Sequence, residues 1–282
     1  MIKDISFEFF PPRTEKMEQK LKQNIGVLMK LSPRFVSITY GAGGTTRYKT
    51  HVIVSKLINE TKLNVAAHLT CVNASLNEID EVIENYVAVG VKHIVALRGD
   101  MKDLGQFTPH PKGLNNSIKL VRHIKDKGDI KVSISGYPEQ HPDSQGITAD
   151  INFIKSKIDA GADQIITQFS FETQNYIKYR DTLVSQGINI PIIPGIMLIK
   201  SFNGIKNMSN KIGIKVPNWV DKTIEKETEE NQKIIAEDFA ITQSDKLERN
   251  GFEQLHFYTL NESEIMINIA KHLSFYTKNN TE

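Results

Sequence analysis

The chain has 282 residues, of which 39% are hydrophobic and 24% charged; this is enough apolar sequence for a core and argues against disorder. With 35 Lys and Arg against 33 Asp and Glu, the net charge of +2 gives no reason to expect nucleic acid or an anionic membrane as a partner. One cysteine, Cys71, excludes an internal disulfide and a cysteine-ligated metal centre, and the absence of a signal-like start predicts a cytoplasmic protein.

Short apolar runs alternate with segments of helical spacing along the whole chain. Several runs are apolar at both even and odd positions, as in parallel strands that are covered on both faces. A strand followed each time by helical sequence predicts a single α/β domain over residues 1–282, a (β/α)8 TIM barrel, with an open doubly wound sheet as the alternative. The predicted strands are Ile5–Phe10, Phe35–Thr39, Asn64–Leu69, His93–Leu97, Ile130–Gly136, Gln164–Thr167, Ile190–Gly195 and Gln254–Tyr258.

Three helical segments carry local signals of their own. After the third strand, an apolar stripe from Leu76 to Val87 is preceded by Ser75 and Glu78, which together predict a capping box. The polar stretch 207–243 is too long for an ordinary barrel connection and predicts extra helices before the eighth strand, with Pro217 near a helix start. Asn261, followed by Glu264, predicts the start of the last helix.

Polar residues concentrate where the predicted strands end. Because the active sites of TIM barrels lie at the C-terminal ends of the strands, this pattern favours a site spread around one mouth of the barrel. The residues at the strand ends are Glu8, Thr39, Tyr40, His68, Arg98, Gly99, Asp100, Tyr137, His141, Gln168, Tyr258 and Thr259.

Glu8 is the most informative of these residues, because it stands between phenylalanines in the first strand. An apolar environment destabilises the charged carboxylate, so we expect its pKa to be raised and Glu8 to act as a general acid. The alternative is a surface acid on an edge strand, which a closed barrel does not have.

Other candidate residues carry weaker signals. Asp100 and Arg98 fit an ion pair that steadies a turn as well as a functional role. His68 and His141 lack metal-site spacing, so hydrogen-bonded histidines are the better interpretation, and Cys71 is expected to be a small buried hydrophobe. The glycine-rich loop 41–46 lacks a P-loop lysine, but beside Arg98 and Lys157 it is compatible with a ligand that bears phosphates.

The order of these motifs resembles the bacterial methylenetetrahydrofolate reductases from about Ile5 to His272. The segments that carry the resemblance are SFEFFPPRT, FVSITYGAGGTT, AAHLTCVNAS, HIVALRGD, GYPEQHPDS, DAGADQIITQFSF, PIIPGIM and LHFYTLN. The resemblance implies a TIM barrel with noncovalent FAD, which takes a hydride from NADH or NADPH and reduces 5,10-methylenetetrahydrofolate to 5-methyltetrahydrofolate in one-carbon metabolism, upstream of methionine biosynthesis. It also implies a homo-oligomer without a regulatory domain.

The resemblance also implies roles for single residues. Glu8 matches the general acid that protonates the leaving nitrogen of the folate, Asp100 the aspartate beside flavin and folate, and Gln168 a glutamine that contacts both folate and nucleotide. Thr39 is expected to contact folate as well as flavin. The expected flavin contacts are Thr39, Tyr40, Ala42, His68, Arg98, Gly99, Asp100, Tyr137, His141, Asp150 and Lys157.

The chain departs from the family pattern at two positions. Met208 aligns with an aromatic residue that stacks on both substrates, and the nearest aromatic residue is Phe202. Glu262 stands in place of an arginine that can pair with the folate glutamate tail. Helix capping is an alternative role for Glu262, and Lys200 or Lys206 is a candidate to replace the arginine.

Two other functions stay open on the sequence alone. One is a folate- or flavin-binding subunit that needs a partner protein for electron transfer. The other is a barrel lyase that uses Glu8 and Asp100 without flavin. The three functions differ in whether the protein binds flavin and whether NADH or NADPH alone reduces it.

Overall fold

Nine parallel strands form one sheet in the part of the chain that the structure describes. The structure is a computed structural model, and it describes residues 1–41, 46–101 and 107–273. The strands are β1 Asp4–Phe9, β2 Phe35–Ile38, β3 Val65–Thr70, β4 His93–Leu97, β5 Lys131–Gly136, β6 Gln164–Thr167, β7 Ile192–Ile193, β8 Gly195–Met197 and β9 Gln254–Tyr258. Their order is β7-β6-β5-β4-β3-β2-β1-β9-β8.

Helices follow the strands and form the outer layer. They are α1 Glu15–Leu28, α2 Arg47–Glu60, α3 Leu76–Ala88, α4 Ser117–Asp126, α5 Ile147–Asp159, α6 Thr173–Ser185, α7 Phe202–Ile212, α8 Asn218–Lys226, α9 Glu229–Arg249 and α10 Glu264–His272. This is the predicted α/β TIM-barrel fold. Among these helices none is long and apolar enough to cross a membrane.

The seventh position of the barrel differs from the prediction of one strand over Ile190–Gly195. Two short strands occupy it: β7 pairs with β6, and β8 pairs with β9. Pro194 lies between them, and a proline has no N–H to give to the ladder of a neighbouring strand. Its carbonyl oxygen still accepts a hydrogen bond from His256 N at 2.9 Å. The barrel wall therefore stays nearly closed although this strand is interrupted.

The predicted helix signals are confirmed in two cases and wrong in one. Ser75 and Glu78 form the capping box of α3, and α7, α8 and α9 are the extra helices, with Pro217 as the N-cap of α8. Asn261 does not cap α10, whose N-cap is Ser263. Its side-chain amide instead pairs with both backbone groups of Phe10, at 2.9 Å each, because these groups continue past the end of β1 without a strand partner.

Strand alternation decides which side chains enter the barrel. In β1, Phe7 and Phe9 join the core between sheet and helices, whereas Ser6 and Glu8 point to the interior. The centre of the barrel is an apolar layer of Phe35, Ala66, Val95, Ile166 and Ile193. This layer separates the polar floor of the barrel from its C-terminal end.

The floor of the barrel holds a buried histidine. His93 Nε2 lies 2.6 Å from Ser133 Oγ, which also accepts a hydrogen bond from Gln164 Nε2 at 2.8 Å. Burial and then the positive charge of Lys131 lower the pKa of His93 to about 3, so its imidazole is neutral over the physiological range. A neutral histidine here pairs with Ser133 without placing a charge under the apolar layer.

Gly195 has no room for a side chain at the interrupted strand. An added Cβ would collide with the carbonyl oxygen of Thr167 and lie 2.5 Å from Tyr258 Cε2. The neighbours are fixed in turn, because Thr167 O accepts from Tyr258 Oη at 2.7 Å and Thr167 Oγ1 accepts from Gly195 N at 3.0 Å. The close approach of β6 and β9 across this position therefore requires glycine.

We predict that Gly195→Ala lowers the free energy of unfolding by about 3 kcal/mol or more, because the methyl group overpacks a site bounded by backbone. Gly26→Ala is the matched control. Gly26 lies in α1 with no atom within 4 Å of an added Cβ, so alanine should stabilise the helix by about 0.5–1 kcal/mol. Urea denaturation measures both changes, and equal stabilities of the two variants would contradict the account of Gly195.

Candidate functional site

A cavity of about 720 Å³ opens at the C-terminal ends of the barrel strands. The structure brings the residues predicted for the site together around it. Those that line it are Glu8, Thr39, Tyr40, His68, Arg98, Gly99, Asp100, Tyr137, His141, Asp150, Lys157 and Gln168. The remaining predicted residue, Ala42, lies outside the described residues, as does most of the loop 41–46.

Glu8 meets three polar side chains at the inner end of the cavity. Its Oε2 lies 3.3 Å from His68 Nε2 and 3.6 Å from His256 Nε2, and Ser37 Oγ donates to it at 3.5 Å. Neither imidazole contact has the geometry of a hydrogen bond, and both Nε2 atoms have no hydrogen-bond partner in the described part of the chain. The carboxylate therefore lies in a polar cluster with two imidazoles and one hydroxyl group.

The expectation of a raised pKa for Glu8 is wrong for the ligand-free protein. Burial raises the pKa, but the charges of His68 and His256 and their contacts with the carboxylate outweigh burial and lower the pKa to about 2. Phe7 and Phe9, which flank Glu8 in the sequence, join the core between sheet and helices, because neighbouring residues of a strand point to opposite sides. The carboxylate side chain is 20% exposed.

His256 is a site residue that the sequence reasoning missed. It is fully buried, and its Nδ1 lies 2.7 Å from Ser6 Oγ, which fixes the ring with Nε2 toward Glu8. The alternation of side chains in the last strand could have identified His256 as a residue of the barrel interior. Because Tyr258 was expected at the mouth, the residue two positions earlier also had to face the interior, and β1 and β9 pair Ser6 with His256.

The turn after β4 presents Arg98 and Asp100 to the cavity. Gly99 has φ +84, and a Cβ there would lie 2.6 Å from Val72 Cγ1, so the tight turn needs glycine. Arg98 does not pair with Asp100: its guanidinium lies 2.8 Å from Asp143 Oδ2 and 5.1 Å from the ring centre of Phe107. Asp100 is exposed at the mouth of the cavity, where its carboxylate faces whatever binds there.

Lys157 is a cation buried in the wall of the same cavity. Its Nζ donates to Ser135 O at 3.0 Å and lies 5.0 Å from the ring centre of Phe153. Burial lowers the pKa of Lys157 to about 8, opposed by the nearby charge of Asp150. An ammonium group with one carbonyl partner in so dry a position is suited to an anionic ligand.

Two neighbouring residues come from the fifth barrel loop. The rings of Tyr137 and His141 meet edge to face with centroids 4.4 Å apart, and His141 Nδ1 accepts from Asp143 N at 3.0 Å. This backbone contact explains the histidine without a metal. Among the described residues no group of three or more His, Cys, Asp or Glu side chains could hold a metal ion.

Part of the cavity lining is apolar, including Ile166, Met197 and Met208. Gln168 Oε1 accepts from Phe169 N at 3.0 Å, which orients the amide at the end of β6. Met208 lines the cavity, whereas Phe202 is 1% exposed and packs edge to face with Trp219 among α7, α8 and α9. Where the family pattern has a stacking aromatic residue, the side chain that lines this cavity is therefore Met208.

Glu262 forms ion pairs instead of capping a helix. Its carboxylate pairs with Lys20 Nζ at 2.8 Å and with Lys200 Nζ. The other candidate base, Lys206, pairs with Asp221. Cys71 is fully buried, and burial raises the pKa of its thiol to about 11, which agrees with a packing role.

A family model and two known proteins each match nearly the whole chain. The family model described as methylenetetrahydrofolate reductase matches residues 2–274. The chain is 39% identical over 264 residues to the 5,10-methylenetetrahydrofolate reductase of Pectobacterium carotovorum subsp. carotovorum, which covers 93% of this chain and 87% of that protein. It is 35% identical over 283 residues to methylenetetrahydrofolate reductase (NADH) 1 of Arabidopsis thaliana, covering 95% of this chain and 48% of that protein.

A solved structure gives a separate comparison of the fold. An uncharacterized protein from Clostridium thermocellum, described as binding two copies of 5-methyl-5,6,7,8-tetrahydrofolic acid, matches with a TM-score of 0.66. The match covers 98% of this chain and 96% of that chain at 15% identity. At this identity, the likeness supports the barrel fold alone.

The lowered pKa of Glu8 predicts how stability depends on pH. Its folded pKa of about 2 lies below the ordinary 4.5, so the ionised carboxylate stabilises the fold above pH 4.5, and this stability is lost as the pH falls toward 2. Glu8→Gln should therefore cost about 3 kcal/mol near pH 5 and less near pH 3. Urea denaturation at both pH values measures the difference.

Glu81→Gln is the control for this experiment, since it removes an exposed carboxylate from α3. Its effect should be small at both pH values. A destabilisation by Glu8→Gln that does not change between the two pH values would refute the lowered pKa.

Proposed function

The chain belongs to the methylenetetrahydrofolate reductase family, and we propose that it reduces 5,10-methylenetetrahydrofolate to 5-methyltetrahydrofolate with bound FAD and with NADH or NADPH as the electron donor. The observation that carries the proposal is the cavity, which combines the polar cluster of Glu8, His68 and His256 with the buried Lys157 and with apolar lining residues. Family membership supports the reaction, and the name of the Arabidopsis relative supports a nicotinamide donor for that protein.

The residues of the cavity fit FAD. About 720 Å³ suits a cofactor-sized ligand, and Arg98 and Lys157 offer cations to its diphosphate. Gly146, the N-cap of α5, forms no side-chain cap hydrogen bond, and the N-terminus of a helix is suited to an anion. FAD, when bound, would take up a hydride from the nucleotide and deliver it to the folate after the nucleotide has left.

Protonation of the folate is the step for which the chain supplies its own chemistry. The methylene carbon accepts a hydride only after its bond to one ring nitrogen has broken, which leaves an iminium cation and requires a proton on the leaving nitrogen. We assign this proton transfer to Glu8. Because its pKa is lowered to about 2, Glu8 has to gain a proton before it can act as the acid.

Binding of the folate would raise the pKa of Glu8. Burial is the largest effect on Glu8, and it favours the neutral acid. A pterin ring that displaces water from the cavity would increase the burial of the carboxylate, so Glu8 would take up a proton and pass it to the folate nitrogen. His256, which is fully buried 3.6 Å from the carboxylate, would help to shield the acid from bulk water.

Other side chains are assigned to binding and charge stabilisation. Asp100, at the cavity mouth, would stabilise the iminium cation by its negative charge. Gln168 and Thr39 would hold the pterin, and Gln168 and Met208 would contact the nucleotide and the folate in turn. Lys200 and Lys20, held by Glu262 beside the mouth, are our candidates for the anionic folate tail. We further expect a cytoplasmic homo-oligomer.

The first test is the absorbance spectrum of the purified protein without oxygen. A yellow protein whose flavin is bleached by NADH or NADPH alone, and whose colour returns on addition of 5,10-methylenetetrahydrofolate, is the expected result. A colourless protein would contradict a flavin-dependent reductase and favour a lyase. A yellow protein that neither nucleotide bleaches would favour a subunit that receives electrons from a partner protein.

The second test separates the two half-reactions of Glu8→Gln. An amide cannot supply the proton, so folate reduction should fall by about a hundredfold or more, whereas reduction of the flavin by the nucleotide should change little. Stopped-flow absorbance of the flavin measures both rates, and flavin content is the control. Equal losses in the two half-reactions at normal flavin content would remove Glu8 from the role of acid.

A further inference from the structure

Glu139 joins three segments that surround the cavity, although its own side chain does not line it. It lies between Tyr137 and His141 in the connection after β5. Its Oε1 accepts from Ser170 Oγ at 2.6 Å, and its Oε2 accepts from Lys215 N at 3.1 Å. Hydrogen bonds to an ionised carboxylate are stronger than those between neutral groups, so one side chain links its own loop to the segments of Ser170 and Lys215.

Each linked segment carries residues of the proposed binding site. The connection after β5 carries Tyr137 and His141. Ser170 follows Gln168 by two positions, and Lys215 lies just beyond α7, the helix that bears Met208. Glu139 thus ties the proposed flavin side of the cavity to both residues that would contact nucleotide and folate.

Ser170 is a rigid attachment point. It is 2% exposed, its N–H donates to Tyr176 Oη at 2.7 Å, and its carbonyl accepts from Gln243 Nε2 at 2.9 Å. Tyr176 Oη donates in turn to Gly195 O at 2.6 Å. Ser170, which donates to Glu139, is therefore fixed by contacts with α6 and α9 and, through Tyr176, with strand β8.

The end of α7 is attached to the barrel more lightly. Its C-cap, Gly213, has φ +75, and a Cβ there would lie 2.7 Å from Pro142 Cγ, which shows how closely the same two loops approach. Lys215 is exposed, and the hydrogen bond that fixes its backbone N–H is the one to Glu139. Removal of this hydrogen bond would free the C-terminal end of α7 to move away from Gln168.

The turn that carries Glu139 is itself held in an unusual conformation. Gln140 has φ +78, which is strained for a residue with a side chain. Gln140 N donates to Tyr137 O at 3.1 Å, and its Nε2 donates to Ser144 O at 3.1 Å. The turn is thus determined by its own hydrogen bonds, and it points Glu139 away from the cavity and toward Ser170 and Lys215.

We propose that Glu139 is a positioning residue that sets the distance between Met208 on α7 and Gln168 on β6, and with it the width of the slot in which nucleotide and folate bind. It touches neither substrate, and it acts through the backbone of Lys215 and the hydroxyl of Ser170. This inference rests on the proposed function for the identity of the ligands. The two hydrogen bonds of the Glu139 carboxylate, here called the tether, do not depend on that identity.

The test compares Glu139→Gln with Glu172→Gln. An amide at position 139 has the same shape but only one acceptor oxygen. Its nitrogen cannot donate to Ser170 Oγ instead, because both lone pairs of that hydroxyl already accept, from Glu172 N and Asn175 Nδ2. The amide therefore loses the bond to Lys215 N or to Ser170 Oγ. Glu172 is an exposed acid in the segment after β6, and among the described residues its carboxylate makes no hydrogen bond or ion pair. Both variants remove one negative charge, and only the first breaks the tether.

We expect Glu139→Gln to raise the KM for nucleotide and for folate by about threefold to tenfold, while the maximal rates of both half-reactions and the flavin content stay within about twofold. Amide hydrogen exchange of α7 should accelerate by at least about threefold in the same variant, because local opening becomes easier. The Glu172→Gln protein should match the unmodified chain in every measurement.

Unchanged exchange of α7 together with unchanged KM values would overturn the proposal, and so would a fall in thermal stability with parallel losses in every rate. If Glu139→Gln does not fold, Glu139→Asp keeps the charge but shortens the reach, and it should change exchange and KM in the same direction. A protein without flavin or reductase activity would refute the proposed function, whereas the exchange of α7 would still test the tether.

Discussion

The two-residue period of β1 is the constraint on which the rest of the site depends. Because successive side chains point to opposite faces, Phe7 and Phe9 enter the core beneath the helices and Glu8 must enter the barrel. The parallel register with β9 then sets His256 beside Ser6, and the register with β2 sets Ser37 beside Glu8. Glu8, which stands among phenylalanines in the sequence, therefore lies beside His68 and His256 in the fold.

Features with a local cause could be predicted from the sequence. The predicted bounds of β4, β6 and β9 agree with the structure to the residue, because short apolar runs and their polar ends are contained in a few neighbouring positions. The capping box of α3 is a pattern of the same kind. The mouth of the cavity followed from the strand ends, since parallel strands of one barrel all end on the same side.

Features that depend on partners distant in sequence could not be predicted. The pKa of Glu8 is decided by His68 and His256, the partner of Arg98 is Asp143, and Asn261 holds Phe10 rather than its own helix. A sequence shows which groups can carry a charge or donate a hydrogen bond, but it does not show which of them meet. The break at Pro194 is an intermediate case, because the proline was visible but its effect on the ladder depended on both neighbouring strands.

The pairing of β1 with β9 also has a consequence for how the protein is made. Ser6 and His256 are 250 residues apart in sequence, so the cluster around Glu8 depends in part on a contact between the first and the last strand. Contacts of such range form late, since the entropy of closing the loop opposes them until the rest of the barrel is in place. A nascent chain on the ribosome therefore contains Glu8 long before it contains His256, and the polar cluster is complete only when the last strand has been made.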